Sequence, residues 1–177
     1  MASLVTSKKV LTLILVIDRE GKKVLLGMKK RGFGAGKFNG FGGKVEKGET
    51  IDQGARRELL EEAEIEAIDL VQVGMLMFTF EKDNVGLETH IFVATTYKGS
   101  PEETEEMRPE WYTFDQIPFD QMWSDDKHWF PFVLKNQYFT GHFHFGEDQK
   151  TILRHDLKVT QDNDTFEQGY DLGKLTL

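Results

Sequence analysis

The sequence predicts an α/β domain in which helices form layers on a mixed β-sheet. Three features of the 177 residues predict this class: an apolar hairpin near the start, a glycine-rich loop leading into an amphipathic helix, and later apolar runs separated by polar loops. The length suits one domain with a core of its own.

The predicted hairpin comes first. Residues 10–17 are apolar except for Thr12 and rich in β-branched side chains, which is typical of a buried strand. A polar turn at 18–23 precedes a second apolar run at 24–28. Residues 32–43 then contain six glycines, too many for a regular element. They indicate a loop with unusual backbone angles or a close approach to a ligand.

Thr50 is predicted to open the first helix. Ile51, Ala55 and Leu59 recur every four residues and form an apolar stripe, with charged residues elsewhere. Strands are expected at 70–80 and 90–97, followed by an acidic connection at 99–108.

A second helix is predicted to begin at Ser124 as its N-cap, with Asp125 and Asp126 in the first turn. Pro131 is expected to kink that helix or to shift its start. A final hairpin is expected at 142–145 and 151–159. The predicted domain therefore covers residues 1–159, and residues 160–177 are expected to form a loosely docked or mobile tail.

Composition excludes several classes of protein. Acidic residues outnumber basic residues 30 to 22, which gives a formal net charge of -8 and argues against direct nucleic-acid binding. The chain has no cysteine, so disulfides, zinc–thiolate sites and thiol catalysis are excluded. No run is long enough to span a bilayer, and no signal peptide is recognised. A monomer in the cytoplasm is expected, with mitochondrial or nuclear fractions left open.

Three glutamates are the main chemical signal. Glu58, Glu61 and Glu62 have helical spacings that place them on one face. Their mutual repulsion costs stability, and a hard divalent cation such as Mg²⁺, with Mn²⁺ as a substitute, would offset it. The alternative is a solvated helix face with Arg56 and Arg57 as ion-pair partners. That alternative leaves the preceding glycine loop unexplained, whereas phosphate groups favour backbone N–H groups presented by such loops.

The whole string resembles the Nudix box: Gly43, five residues, Glu49, seven residues, then residues 57–62 as Arg-Glu-Leu-Leu-Glu-Glu. Glu64 is the one departure, because the pattern has a glycine there. Since that glycine normally ends the helix in a left-handed conformation, the helix end is where the structure is expected to differ. The resemblance implies a single domain with the Nudix-type α/β/α sandwich around a mixed sheet.

The resemblance also implies a division of labour. Glu58, Glu61 and Glu62 would be catalytic, with Glu62 or Glu58 as the base, and Glu49 would pair with Arg57 for a structural purpose. A metal-bound water attacking a phosphoanhydride is the chemistry expected of this set. The implied metal ligands are Gly42 through its carbonyl, Glu58, Glu61, Glu62 and Glu106.

Three further segments, at 27–44, 106–109 and 122–131, narrow the resemblance to animal oxidised purine nucleoside triphosphatases, the MutT-homologue group. The likeness covers residues 11–159. The substrate-binding residues that it implies are Thr12, Leu13, Lys29, Phe33, Asn39, Phe41, Gly42, Gly43, Lys44, Phe78, Leu87, Trp123, Ser124, Asp125, Asp126 and Trp129.

These side chains suit a purine base. Trp123 offers a stacking surface, and Asn39 offers a donor and an acceptor. Asp125 and Asp126 would share protons as a coupled pair, which suggests that one pocket reads both oxidised guanine and oxidised adenine. The alternatives are structural: the aspartates favour the helix dipole, and aromatic residues such as Trp129 belong more often to a core.

The resemblance implies hydrolysis of 8-oxo-dGTP and 2-oxo-dATP to the monophosphate and pyrophosphate, which cleans the nucleotide pool. The expected partner is therefore a small-molecule nucleotide. Two alternatives stay open: a Nudix hydrolase of ADP-ribose or a dinucleotide polyphosphate, and a non-catalytic nucleotide sensor.

Overall fold

The computed structural model describes residues 4–162 and 166–175. Within them, the helices are α1 (Ile51–Ala63) and α2 (Asp126–Leu134), and single 3₁₀ turns lie at Phe119–Gln121 and Leu172–Lys174. The strands are β1 (Ser7–Asp18), β2 (Lys23–Lys29), β3 (Phe38–Asn39), β4 (Glu66–Ala67), β5 (Val71–Phe80), β6 (Val85–Ala94), β7 (Tyr97–Lys98), β8 (Met107–Thr113), β9 (Tyr138–Phe145) and β10 (Ile152–Thr160).

Eight strands form one sheet in the order β10-β9-β5-β6-β1-β2-β3, and β8 also pairs with β2. Strands β5 and β9 are parallel, whereas β1–β2, β2–β8 and β9–β10 are antiparallel. Strands β4 and β7 form a separate two-stranded ribbon. The predicted α/β class with a mixed sheet is confirmed.

Both predicted hairpins are present. Val16 pairs with Leu25 in the first, and Phe143 pairs with His155 in the second. Strand β8 was not predicted, because its charged side chains and Pro109 are typical of a loop. It pairs along its whole length with β2, from Lys23–Thr113 to Lys29–Met107, so the predicted acidic connection ends at Met107.

The chain divides into two units of dense internal packing. The α1 unit comprises residues 12–72 and 91–123. The α2 unit comprises the described residues within 1–11, 73–90 and 124–177. Neither described α-helix has the length and hydrophobicity needed to cross a membrane.

Helix α1 begins as predicted. The Thr50 side chain accepts the backbone N–H of Gln53, and the Gln53 side chain accepts the backbone N–H of Thr50, which makes a capping box. The apolar stripe of the helix is buried: Ala55 and Leu59 are inaccessible to solvent and belong to one core cluster with Ile14 of β1. Burying this stripe therefore fixes which helix face carries the glutamates.

The end of α1 contradicts the expectation. Glu64 adopts the left-handed conformation (φ 58°, ψ 29°), and its N–H donates to the carbonyl of Leu60 at 3.0 Å. The helix therefore ends as the box pattern requires although no glycine is present. The prediction of a different helix end is wrong, because Glu64 adopts the left-handed conformation at a modest free-energy cost and its N–H closes the helix on Leu60.

The start of α2 also differs from the prediction. The helix begins at Asp126, and its N-cap residue is Asp125, which makes no side-chain capping hydrogen bond. The Ser124 hydroxyl instead donates to the carbonyl of Lys150 at 2.7 Å. The predicted Ser124 cap is wrong, because this tertiary hydrogen bond uses the hydroxyl. Pro131 lies inside the helix.

Part of the predicted tail is described. Phe166 is 3% exposed, and its ring meets the Tyr138 ring edge-on at 6.4 Å. Residues 163–165 and 176–177, which the tail prediction includes, lie outside the described residues. The boundary at residue 159 and the loose docking of the tail stay predictions.

Candidate active site

The glycine loop of the α1 unit lies directly against strand β1. The backbones of Ile14 and Phe41 exchange two hydrogen bonds, at 2.6 and 3.0 Å, and the N–H of Thr12 donates to the carbonyl of Gly43 at 2.9 Å. A Cβ atom at Gly42 would lie 1.9 Å from the carbonyl oxygen of Thr12. Only glycine permits this approach. The hydrogen bonds to β1 hold in place the loop residues that are implied to bind phosphate.

Helix α1 contacts the other side of the loop through two glutamates. The Gly42 N–H donates to Glu62 Oε1 at 2.7 Å. A Cβ atom at Gly43 would lie 2.7 Å from Glu58 Oε1, so the carboxylate of Glu58 packs on the bare backbone of Gly43. The two glycines therefore let two carboxylates approach the loop backbone.

These two carboxylates are held in unfavourable surroundings. Glu62 is 5% exposed. Burial raises its pKa to about 7, the Gly42 N–H opposes that rise, and the negative charges of Glu58 and Glu106 add to it. Burial also raises the pKa of Glu58, while its hydrogen bond with Arg57 lowers it. A cation bound here would relieve both the desolvation and the repulsion.

Arg57 is the main cation of the helix face. It donates to Glu49 from Nε at 3.1 Å and from Nη2 at 2.6 Å, which is the predicted structural pair. This pair lowers the pKa of Glu49 to about 2. The second terminal nitrogen lies 2.9 Å from Glu58 Oε1 and 3.3 Å from Glu61 Oε2. Arg57 therefore both fixes the loop and partly neutralises two of the three predicted metal ligands.

Glu106 has a cationic partner of its own. Arg31 donates to Glu106 Oε1 from Nε at 2.9 Å and from Nη2, and this contact lowers the pKa of Glu106. Both side chains line an open pocket of about 620 Å³. The residues lining it are Lys30, Arg31, Glu61, Glu64, Glu103, Thr104, Glu105 and Glu106.

The donor set suits a hard divalent cation in its chemistry. It consists of carboxylate oxygens and one backbone carbonyl, which are the ligands that Mg²⁺ and Mn²⁺ prefer. Among the described side chains, no three His, Asp or Glu residues are gathered closely enough to form a ready metal cage. Arg57 and Arg31 contact three of the predicted ligands instead.

The α1 unit also contains predicted base-binding residues. The Phe33 ring stacks on Trp123 with 5.0 Å between centroids, and Lys37 Nζ lies 5.3 Å from the Trp123 ring centroid. Phe33 is 64% exposed. Asn39 Oδ1 accepts the backbone N–H of Gly40 at 2.8 Å, so its amide group is oriented by its own loop.

In the α2 unit, a buried acidic pair opens helix α2. Asp125 and Asp126 are 5% and 3% exposed. Trp129 Nε1 donates to Asp125 Oδ2 at 2.8 Å. Burial raises the pKa of Asp125 to about 6, while hydrogen bonds from Trp129 and Asp126 oppose that rise. The Phe78 side chain is half-buried and stacks on Phe143 with 6.0 Å between centroids.

The NUDIX domain model matches residues 8–133, which is most of the chain. This chain belongs to the Nudix family. The glutamates and glycines described above are therefore the Nudix box of a family member, and hydrolases of this family generally use divalent metal ions.

Among relatives, the chain is 50% identical over 153 residues to an oxidized purine nucleoside triphosphate hydrolase of Mus musculus, covering 86% of this chain and 96% of that protein. It is 50% identical over 156 residues to a protein of the same description from Danio rerio, covering 88% and 98%. The crystal structure of a mutator MutT protein from Bacillus halodurans superposes with a TM-score of 0.74 at 28% identity, covering 84% of this chain and 97% of that chain.

The structure brings some predicted residues of this Nudix protein together and leaves others apart. Gly42, Gly43, Glu58 and Glu62 meet at the loop, whereas Glu61 is exposed and pairs with Arg57. The remaining predicted substrate residues of the α1 unit are the buried Thr12 and Phe41, the half-buried Leu13 and Lys29, and the exposed Lys44.

In the α2 unit, Leu87 is half-buried, but Trp129 is inaccessible to solvent and packs against Phe139. Trp129 thus lies in the core, as the structural alternative expected, and it donates a hydrogen bond to Asp125. Its predicted contact with the base stays a prediction.

Three residues at these sites were missed from the sequence. Arg31 and Lys30 line the acidic pocket, and Phe143 supports Phe78. The basic run before the glycine loop was a usable signal for the first two, because cations beside an acidic site suit a phosphate ligand. Phe143 had no such signal, since the parallel pairing of β5 with β9 that brings it to Phe78 is not apparent from sequence.

Proposed function

We propose that this Nudix hydrolase cleaves oxidised purine (deoxy)nucleoside triphosphates, such as 8-oxo-dGTP and 2-oxo-dATP, to the monophosphate and pyrophosphate. The observation that carries the proposal is the 50% identity, over almost their whole length, to two oxidized purine nucleoside triphosphate hydrolases. The buried acidic pair of the α2 unit supports it, because carboxyl groups of this kind match the N–H and carbonyl groups of an oxidised purine.

The α1 unit would carry the phosphate chemistry. Glu58, Glu61, Glu62, the carbonyl of Gly42 and Glu106 would hold Mg²⁺, or Mn²⁺ in its place. The ion would neutralise charge on the phosphate oxygens and lower the pKa of a bound water.

Glu62, or Glu58 as the alternative, would accept the proton of the attacking water. The water oxygen bonds to phosphorus, the anhydride bond between the α- and β-phosphates breaks, and pyrophosphate leaves. The N–H groups and bare backbone of the glycine loop would orient the phosphates while Arg57 keeps that loop on the helix.

The acidic pair of the α2 unit would contact the edge of the base. Burial raises the pKa of Asp125 and the Trp129 N–H opposes that rise, and we propose that the two carboxyl groups hold one shared proton. One carboxyl group then donates a hydrogen bond while the other accepts one. Moving the proton within the pair would let the same group match either oxidised guanine or oxidised adenine.

A panel of initial rates with Mg²⁺ tests the proposal. The panel contains 8-oxo-dGTP, 2-oxo-dATP, O6-methyl-dGTP, dGTP, ADP-ribose and a diadenosine polyphosphate. We expect kcat/KM for the two oxidised triphosphates to exceed that for dGTP by at least about tenfold, since unmatched polar groups in a closed pocket are costly. Equal slow rates throughout would contradict the sanitising role. Tight binding of nucleotide without any turnover would favour the sensor.

Metal binding is tested separately by titrating Mg²⁺ or Mn²⁺ into the protein in a calorimeter. E58Q, E61Q and E62Q should each weaken binding, whereas E66Q, at an exposed position on β4, is the matched control and should not. Full metal affinity and activity in E61Q would count against the proposed site.

We further propose that the enzyme acts as a monomer in the cytoplasm on free nucleotides. Size-exclusion chromatography and cell fractionation test these two points.

A further inference from the structure

The described C-terminal segment 166–175 lies outside the residues that the family model matches, and a buried charge holds it on the rest of the α2 unit. At the centre is Glu88 of β6, which is 3% exposed. Its Oε2 atom accepts Lys8 Nζ of β1 at 2.5 Å and the backbone N–H of Tyr170 at 2.8 Å. Its Oε1 atom lies 2.8 Å from Nε2 of His90. We call Lys8, Glu88, His90 and Tyr170 the Glu88 clamp.

The segment is shaped to reach this carboxylate. Gly169 has φ +65°, and a Cβ atom there would lie 2.9 Å from both Glu88 Oε1 and Lys8 Nζ. A side chain at this position would therefore push the segment away from the clamp. Lys8 Nζ also donates to the carbonyl of Tyr170 at 3.0 Å, so both backbone polar groups of Tyr170 are bound to the clamp.

The Tyr170 side chain extends the clamp to two more strands. Its hydroxyl donates to the carbonyl of Gly141 in β9 and lies 3.3 Å from the carbonyl of Met75 in β5. The clamp thus contacts β1, β5, β6 and β9 through one short segment. Two of these strands, β5 and β6, carry Phe78 and Leu87, which the family resemblance implies to be base contacts.

Leu87 and Glu88 are consecutive in β6, so their side chains point to opposite faces of the strand. If Leu87 contacts the base, Glu88 does not touch it. Any effect of Glu88 on the base would then pass through the backbone of β6. In β9, the hydroxyl of Tyr170 is bound to Gly141, two residues before Phe143, and Phe143 stacks on Phe78. The clamp is therefore linked to Phe78 through the backbone of β9.

We propose that Glu88 and Tyr170 are positioning residues for base recognition: the C-terminal segment holds β5, β6 and β9 in the register that presents Phe78 and Leu87 to the purine. This inference rests on the proposed function, because it takes these two side chains as base contacts. It assigns the C-terminal segment to the recognition of the base and gives it no part in phosphate chemistry.

The test measures binding of the base and of the phosphates separately in the full-length protein. The probe for the base is 8-oxo-dGMP, whose dissociation constant is measured by calorimetry. The probe for the phosphate site is inorganic pyrophosphate, measured as a competitive inhibitor. The variants are Y170F, which removes only the hydroxyl, and E88Q, which removes the clamp charge. The matched controls are E167Q, an exposed carboxylate of the same segment, and Y138F, which keeps the ring contact with Phe166.

We expect Y170F and E88Q to raise the Kd for 8-oxo-dGMP and the KM for 8-oxo-dGTP about fivefold, since each weakens the clamp at a distance from the ligand. Their kcat and the inhibition constant of pyrophosphate should stay within about twofold of wild type. E167Q and Y138F should leave every constant unchanged.

Two results would overturn the inference. In one, melting temperatures fall while the Kd for 8-oxo-dGMP stays at the wild-type value, which makes the clamp merely structural. In the other, binding of 8-oxo-dGMP and of pyrophosphate weakens equally, which indicates general loosening. If E88Q fails to fold, Y170F decides the question. The wild-type protein reports the proposed function independently: no binding or turnover of oxidised purines would overturn that function, and the inference with it.

Discussion

Two glutamates, one in each unit, are buried to almost the same extent, yet their pKa values move in opposite directions. Glu62 of the α1 unit is 5% exposed and has its pKa raised to about 7, whereas Glu88 of the α2 unit is 3% exposed and has its pKa lowered to about 2. Burial penalises the charged form of both. The difference comes from their partners.

Glu88 is surrounded by donors. Lys8, His90 and the Tyr170 N–H satisfy both of its oxygens, and one of these donors is a cation. Glu62 has one backbone donor and feels the repulsion of two other carboxylates. The comparison shows that the partners of a buried carboxylate, and not its burial, decide the direction in which its pKa moves.

The largest effect on activity is expected at Glu62, which we propose as a metal ligand and as the base. E62Q should lower kcat about 10³-fold, because the amide is a poor metal ligand and no base. The same substitution should leave the melting temperature in chelator at pH 8 unchanged or higher. The folded pKa lies above the ordinary value of 4.5, so ionisation of Glu62 costs stability as the pH rises through about 7. A large loss of stability in E62Q would contradict this view.

The opposite result is expected at Glu88. E88Q should lower the free energy of unfolding at pH 7 by about 2 kcal/mol, because the Lys8 ammonium and the Tyr170 N–H lose a charged acceptor. The folded pKa is lowered, so the stability that ionisation contributes is complete above pH 4.5 and is lost as the pH falls from 4.5 toward about 2. Lys8 and His90 are the titratable groups that face the carboxylate.

Chemical denaturation of wild type and E88Q between pH 7 and pH 3 measures this difference, with E167Q as the exposed control. The two stability curves should converge on the acidic side. A difference that is independent of pH would mean that the charge of Glu88 does not stabilise the clamp.

A smaller effect is expected at the acidic pair of the α2 unit. In the wild type, the ratio of kcat/KM for 8-oxo-dGTP to that for 2-oxo-dATP should change several-fold as the pH crosses about 6, where burial places the pKa of Asp125. In D125N the ratio should be constant, because an amide does not titrate there. W129F should move the transition to higher pH, since it removes the donor that stabilises the ionised form. A D125N ratio with the wild-type pH dependence would refute the two-base hypothesis.

The smallest effect concerns the departure from the Nudix pattern. E64G should raise the free energy of unfolding by about 0.5 kcal/mol, because glycine adopts φ 58° without a steric cost. The greater entropy of glycine in the unfolded chain offsets part of this gain and keeps the effect small. Thermal melts compared with E66Q, a substitution at a nearby extended position, measure it. A destabilised E64G would show that the Glu64 side chain contributes more than its conformation costs.

Much of the fold was predictable because it follows local patterns. The apolar stripe of α1, its Thr50 cap and both hairpins are encoded in neighbouring residues. Strand β8 was not, since its stability comes from pairing with β2 along seven residues and not from its own side chains. The cap of α2 was mispredicted for a similar reason, because the hydrogen bond from Ser124 to Lys150 is a long-range contact.

The candidate site divides in the same way. The shared face of the three glutamates was predicted from spacing, since a helix fixes which residues lie on one side. The Glu49–Arg57 pair was implied by the resemblance to the Nudix box. The pairing of Arg31 with Glu106 was not predicted, because those residues are 75 positions apart.

The sequence by itself determined the reaction class of this protein, since the spacing along one helix and the glycines before it are properties of a short continuous segment. Only the tertiary structure decided which buried carboxylates receive donors. Glu62 and Glu88 are the same residue type at similar burial, but their partners differ. Glu62 is repelled by Glu58 of the same helix and by Glu106, whereas Glu88 binds Lys8 and Tyr170, which lie 80 and 82 positions away in the chain. Electrostatic energy depends on distances in space, and a local pattern records only the distances between neighbours on one element.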